Sequence, residues 1–152
     1  MTMTSDGQPV PAEDDLELDD DLMAAIAAAE AAVGDMASDY PEMLLQDIGL
    51  LTGAIARLDL HAPGTDEHAT ACIDCFGVLH DIKGQAASFG YEKATELCDP
   101  LCECVRGQHS VSTQLIGQLK QAVDILSRMA AEGVSADTDN AALALIRELP
   151  DA

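Results

Sequence analysis

The stretch Leu79–Gly90, LHDIKGQAASFG, decides how the rest of the chain is read. Taken back through Cys72 and wound at about 3.6 residues per turn, it places Cys72, Phe76, Leu79, Ile82 and Ala86 on one side of a helix. Asp74, Asp81, Gln85 and Ser88 fall roughly opposite. His80 lies on the flank between them, at the edge of water, and its own stripe holds Gly77, Gly84 and Ala87. A glycine inside a helix costs about 1 kcal/mol against alanine, so two beside one histidine need a reason. Clearance supplies one: the imidazole stands above a bare patch that another surface can approach. Lys83, one turn on, brings a positive charge within reach of whatever the imidazole holds. Gly90 ends this helix, and the return is so tight that the next helix must lie antiparallel beside it.

Working outward, Thr65 is the expected cap of the His80 helix, with Asp66 and Glu67 favouring its positive end. Before it, Asp39, Pro41 and Glu42 read as a helix start with capping-box spacing. Leu44, Ile48, Leu51, Ile55 and Leu58 follow at steps of four and three, a bundle face. Gly49 and Gly53 are expected to allow close helix approach. Further upstream, a helix over Asp20–Val33 shows Leu22, Ile26, Ala29 and Val33 on one face and stops at Gly34; it reads as an accessory helix. After Gly90, a helix from about Tyr91 turns Ala94, Leu97, Leu101 and Val105 inward, and Pro100 predicts a kink or break with Asp99 capping the second piece. Ser110 or Ser112 opens the next helix, with Leu115, Leu119, Ala122, Val123, Leu126 and Met129 on its stripe and Gly133 at its end. A last short helix, about Asp139–Leu149, shows Leu143, Ile146 and Leu149. The expected fold is all-α: an up-and-down antiparallel four-helix bundle with accessory N-terminal and C-terminal helices. Its parts are an acidic, disordered arm over residues 1–18, the bundle over 19–135, and a C-terminal helix and tail over 136–152.

Composition narrows the partners. A formal charge of −21 repels phosphate backbones and anionic lipid, so nucleic acid and membrane surfaces are not expected partners. No uncharged apolar run is long enough to span a bilayer, and no secretory signal is read at the N-terminus. The five cysteines suit a reducing compartment and their odd number argues against a closed disulfide set, so the cytoplasm is expected.

His80, Lys83, Gly84, Ala86, Phe89 and Gly90 together read H-x-x-K-G-x-A-x-x-F-G, and Leu97-Cys98-x-x-Leu101 follows. This pattern resembles the histidine phosphotransfer (HPt) domains of bacterial-type phosphorelays. The resemblance implies that His80 is the phosphoacceptor and that Lys83 stabilises the phosphate. It also implies a docking floor at Gly77, Gly84 and Ala87, with Gln85 at its margin and Gly90 as the turn. The implied partners are receiver domains, of a hybrid histidine kinase on one side and of response regulators on the other. Magnesium would belong to the receiver, with no cofactor in this chain, and the chain would act as a monomer without kinase activity of its own. Tyr91 after the trailing glycine and Pro100 in the following helix depart from the pattern.

The chemistry asked of such a site is modest, because phosphoryl transfer is mostly positioning and charge neutralisation. Free imidazole titrates near pH 6.5, so a neutral nucleophile is available at neutral pH. Lys83 would disfavour the imidazolium and hold the phosphate, against the pull of a strongly negative molecule. Lys93 is a further cation near the turn. A dimeric kinase-like phosphotransferase, with the histidine on a dimerising helical hairpin, is disfavoured because no α/β ATP-binding-like domain is read after the hairpin. Two further readings compete. One is a non-catalytic helical adaptor using the same surface. The other is a metal-binding bundle drawing on Cys72, Cys75, Cys98, Cys102 and Cys104 with His61 and His68. The metal reading meets an obstacle: Cys72, Cys75 and Cys98 fall on faces expected to be buried, so no metal site is expected.

Overall fold

The computed structural model describes residues 12–150. Their order is α1 (Ala12–Leu60), α2 (Asp66–Gln85), a 3-10 turn (Ala86–Phe89), α3 (Glu92–Val105), α4 (Thr113–Glu132) and α5 (Ala136–Glu148), with no strand among the described residues. The chain divides into two compact units, Met1–Asp39 and Tyr40–Ala152. The second unit holds the expected four-helix bundle, built from the end of α1, α2, α3 and α4, with α5 as the C-terminal accessory helix.

Each bundle helix forms because an apolar stripe repeats at helical spacing and is then covered. In α1 the stripe Leu44, Ile48, Leu51, Ile55 and Leu58 is buried, joined by Tyr40 and Ala54. Burying each such leucine or isoleucine contributes about 1.5–3 kcal/mol. The stripes of α2 (Cys72, Cys75, Leu79, Ile82), α3 (Ala94, Leu97, Leu101, Val105) and α4 (Leu115, Leu119, Ala122, Leu126, Met129) meet it in one core. Thr65 caps α2 by accepting a hydrogen bond from the His68 N–H at 3.2 Å, and Ser112 caps α4 by accepting one from Leu115. Two ion pairs fasten α1 from outside: Arg57 to Asp74 of α2 at 2.7 Å, and Asp59 to Lys120 of α4.

Four expectations need correction. First, the stop at Gly34 and the new start at Asp39 are absent; α1 runs through both and through Pro41. One glycine removes only about 1 kcal/mol of propensity, and the proline removes a single backbone donor. Of the expected disordered arm, residues 1–11 lie outside the described ones, whereas 12–18 are helical. Leu22 and Ile26, expected on a packed face, are exposed. Second, Gly49 and Gly53 face open space, so neither serves a close helix contact. Third, α3 continues unbroken through Pro100. The carbonyl that loses its partner there belongs to Glu96, which is exposed, so water can satisfy it. Fourth, α5 starts earlier than expected, at Ala136, with a Ser135/Thr138 capping box. It packs along α3 and α4 through Thr138, Ala142 and Leu145, leaving Leu143, Ile146 and Leu149 half-buried on one flank.

Candidate functional site

The end of α2 is fixed by its neighbours. Beyond Gln85 the helix tightens into the 3-10 turn, and Gly90 takes φ +90°, a left-handed conformation that favours glycine. Thr95 of α3 clamps this end twice: its hydroxyl accepts from the Ala87 N–H at 2.9 Å and donates to the Lys83 carbonyl at 3.1 Å. Beneath the turn, Tyr40 stacks on Phe89 with centroids 4.7 Å apart and meets Tyr91 at 5.2 Å. Tyr91 therefore packs under the turn. Burial, followed by the charge of Asp47, pushes the Tyr40 hydroxyl up to about 12, so it stays protonated.

His80 is exposed on α2. Its ring lies nearly parallel to Phe76, one turn earlier, with centroids 5.7 Å apart and planes 18° from parallel. Gly77, Gly84, Gln85, Ala87 and Gly90 are exposed as well. A Cβ built on Gly77 or Gly84 would meet nothing within 4 Å. Internal packing therefore does not require glycine at either position, and the surface around the imidazole is bare. Ala87 sits in the 3-10 turn rather than on α2. On the other side of the glycine stripe, a groove of about 450 Å³ runs between α1 and α2, where Leu50 and Ile73 stand exposed next to Gly77 and Asp81.

The cations of the α2–α3 hairpin are not free. Lys83 Nζ lies 2.8 Å from an Asp99 carboxylate oxygen on α3, and this bond raises the ammonium group above its ordinary pKa. Asp99 is thus a counter-ion and not a helix cap. Arg106, just past α3, sits over the Phe76 ring at 5.0 Å from its centroid and reaches Glu103 at 2.9 Å. Lys93 pairs with Glu96 at 3.0 Å. On the acidic side, Asp47 is raised above the usual carboxylate range by burial and then by the charge of Asp81, beside His80.

Phe76, Asp99, Glu103 and Arg106 were not singled out from the sequence as site residues. A signal for them exists: Lys83 and Asp99 each lie eight residues from Tyr91, and Phe76 and Arg106 each lie fifteen. Once the turn at Gly90–Tyr91 is read as tight, those pairs must face each other across the α2–α3 hairpin.

The residues considered for metal binding point elsewhere. Cys72, Cys75, Cys98 and Cys102 are buried in the core, and Cys104 is half-buried. Burial pushes the Cys75 thiol up to about 12 and that of Cys102 to about 11. His68 is buried and hydrogen-bonded at both ring nitrogens, to the His61 carbonyl at 2.9 Å and to the Val111 N–H at 3.2 Å. Among the described residues no group of three or more His, Cys, Asp or Glu side chains is placed to hold a metal ion. None of the described helices is long and apolar enough to cross a membrane.

Comparison with known proteins agrees with this arrangement. The family model of the Hpt domain matches residues 12–129. No curated protein and no solved structure matches significantly. Hpt domains carry histidine phosphotransfer in phosphorelays and interact with receiver domains. With most of its length matched, from α1 through nearly all of α4, this chain belongs to the Hpt domain family.

Proposed function

We propose that His80 takes a phosphoryl group from the phospho-aspartate of one receiver domain and gives it to the aspartate of another. The chain then stands between a hybrid histidine kinase and a response regulator in a cytoplasmic two-component phosphorelay. In the forward step, the lone pair of the unprotonated ring nitrogen attacks phosphorus in line. The P–O bond to the receiver carboxylate breaks, and its electron pair leaves on that carboxylate oxygen. The other ring nitrogen keeps its proton. Reversal of this step on a second receiver completes the relay.

Each neighbour has a role that its position supports. Phe76 backs the ring and limits its tilt. Lys83, one turn away, neutralises charge on the phosphoryl oxygens, the main demand of a loose transition state. Gly77, Gly84 and Ala87 leave room for the receiver's active-site loops, with Gln85 on the rim. The groove beside Leu50 and Ile73 offers the apolar contact that a protein interface needs at its centre. Magnesium and the aspartate belong to the receiver, and nothing in the described residues suggests ATP use.

The observation that carries this reading is an exposed imidazole on a helix whose neighbouring positions are glycines that packing does not require. The test mixes the protein with a receiver domain carrying labelled phosphate on its aspartate. Label should appear on the protein as an acid-labile, alkali-stable adduct, and His80→Gln should abolish it. Label that persists on the Gln variant would show that another residue is the acceptor.

A further inference from the structure

Lys83, one turn from His80, and Arg106, over the Phe76 ring on which His80 stacks, are both held by carboxylates of one helix. Asp99 and Glu103 stand one turn apart on α3; Asp99 holds Lys83 at 2.8 Å, and Glu103 holds Arg106 at 2.9 Å. Arg106 also covers the Phe76 ring, whose neighbour in the stack is His80 itself. All four charged groups are partly exposed, so the pairs can open without unfolding anything. A phosphoryl group on His80 would add up to two negative charges to a molecule already at −21. It would need the same two cations.

We propose that Asp99 and Glu103 are resting counter-ions that compete with the phosphoryl group for Lys83 and Arg106, and so set how long phosphate stays on His80. This rests on His80 being the phosphoacceptor. In the empty site the carboxylates keep the two cations in place and limit their attraction for unrelated anions. On loading, Lys83 exchanges Asp99 for the phosphoryl oxygens, and Arg106 can follow by leaving Glu103. The carboxylates remain nearby and recapture the cations when phosphate departs, which favours release to the next receiver. Asp99 and Glu103 are therefore positioning residues, acting through the cations rather than on the reacting atoms.

The test measures the partition of labelled phosphate between the protein and a receiver domain charged with acetyl phosphate. Exposed ion pairs are worth about 0.2–1 kcal/mol, so Asp99→Asn should shift the partition toward the Hpt protein by roughly 1.4- to fivefold. Glu103→Gln should shift it the same way, by less. In a Lys83→Gln background the Asp99→Asn effect should vanish, which a merely structural role or a general charge effect would not produce. Glu96→Gln, which removes an equal charge from α3 but frees only Lys93, should leave the partition unchanged. Labelled wild-type protein with the same partition in Asp99→Asn overturns this inference alone, as does an Asp99→Asn effect that survives loss of Lys83. Absence of label on the wild type overturns the phosphoacceptor reading, and this inference with it.

Discussion

α2 carries two histidines, twelve residues apart, and they have opposite fates. At the start of the helix, His68 is fully buried. Val111 donates its N–H to Nε2, so the proton must sit on Nδ1, which donates to the His61 carbonyl. Every polar atom of that ring is used, and its tautomer is fixed. Toward the other end, His80 is exposed, and among the described residues neither of its ring nitrogens has a protein partner. The side chain is the same; what differs is whether the surroundings have already consumed its chemistry. One imidazole ties the turn before α2 to the segment before α4, and the other is left open to solvent.

The sharpest way to break this comparison is to remove each ring in turn. His80→Gln should lose all phosphoryl acceptance while thermal unfolding stays within the small range typical of surface substitutions, about 0.5 kcal/mol. A large loss of stability would mean that the exposed ring also supports the fold. His68→Ala should behave the other way. It leaves the Val111 N–H buried and unpaired, takes the partner from the part-buried His61 carbonyl and opens a cavity, at a cost of about 2–4 kcal/mol in denaturant unfolding. Below its unfolding transition the variant should still accept phosphate on His80. Failure to do so would tie the two ends of the helix together functionally.

Read from the sequence, His68 is only a candidate metal ligand, yet the spacing that places it in the core is there. His68 lies four residues before Cys72, at the head of the buried stripe that continues through Cys75, Leu79 and Ile82, whereas His80 lies off that stripe. Periodicity alone thus separates the buried histidine from the exposed one. What failed were the local boundary signals. Gly34 reads as a helix stop, the Asp39–Pro41 cluster as a helix start and Pro100 as a kink or break, yet the helices run on. At Pro100 the reason is plain: Leu97, Cys98, Leu101 and Cys102, on both sides of the proline, are all buried, and that packing outweighs one lost hydrogen bond. The Lys83–Asp99 pair escapes the sequence for a related reason. A break beside Asp99 makes that residue a cap and ends the register across the hairpin there.

The buried stripes of α2 and α3 can be tested by pH. Cys75 and Cys102 are pushed up to about 12 and about 11 by burial, and Cys72 and Cys98 are raised as well, from an ordinary value of 9.0. Below the unfolded-state pKa every thiol is protonated in both states, and stability should not depend on these groups. Above it the unfolded chain releases protons that the folded chain retains, so the unfolded state is favoured. The contribution is therefore lost as pH rises from about 9 toward the folded values, by at most about 1.4 kcal/mol per pH unit for each fully displaced thiol. Urea midpoints should fall between pH 8.5 and pH 10.5, on the order of that limit, and a Cys75→Ala variant should show a shallower decline. A flat profile in the wild type would mean that these thiols ionise without unfolding and that the inner face is less closed than His68 implies.

The smallest effect concerns the open end and separates fold from function most cleanly. Gly84 is one turn from His80, and beyond its chain neighbours and its own helix backbone a methyl group there meets nothing within 4 Å among the described residues. Alanine should therefore stabilise α2, by up to about 1 kcal/mol, because it restricts the unfolded chain and suits a helix better. If glycine is present only to let a receiver approach, the same substitution should slow phosphoryl transfer, and Gly84→Gln should slow it more while leaving the fold intact. Transfer rates with a phosphorylated receiver and unfolding midpoints, measured on the same variants, should thus move in opposite directions. Gly49 offers the control: it is also exposed within a helix with open space above it, but it lies on α1. Gly49→Ala should bring a similar gain in stability with no change in transfer. Equal slowing at both positions would point to helix stiffness, whereas slowing at Gly84 alone locates the requirement at the surface beside the imidazole.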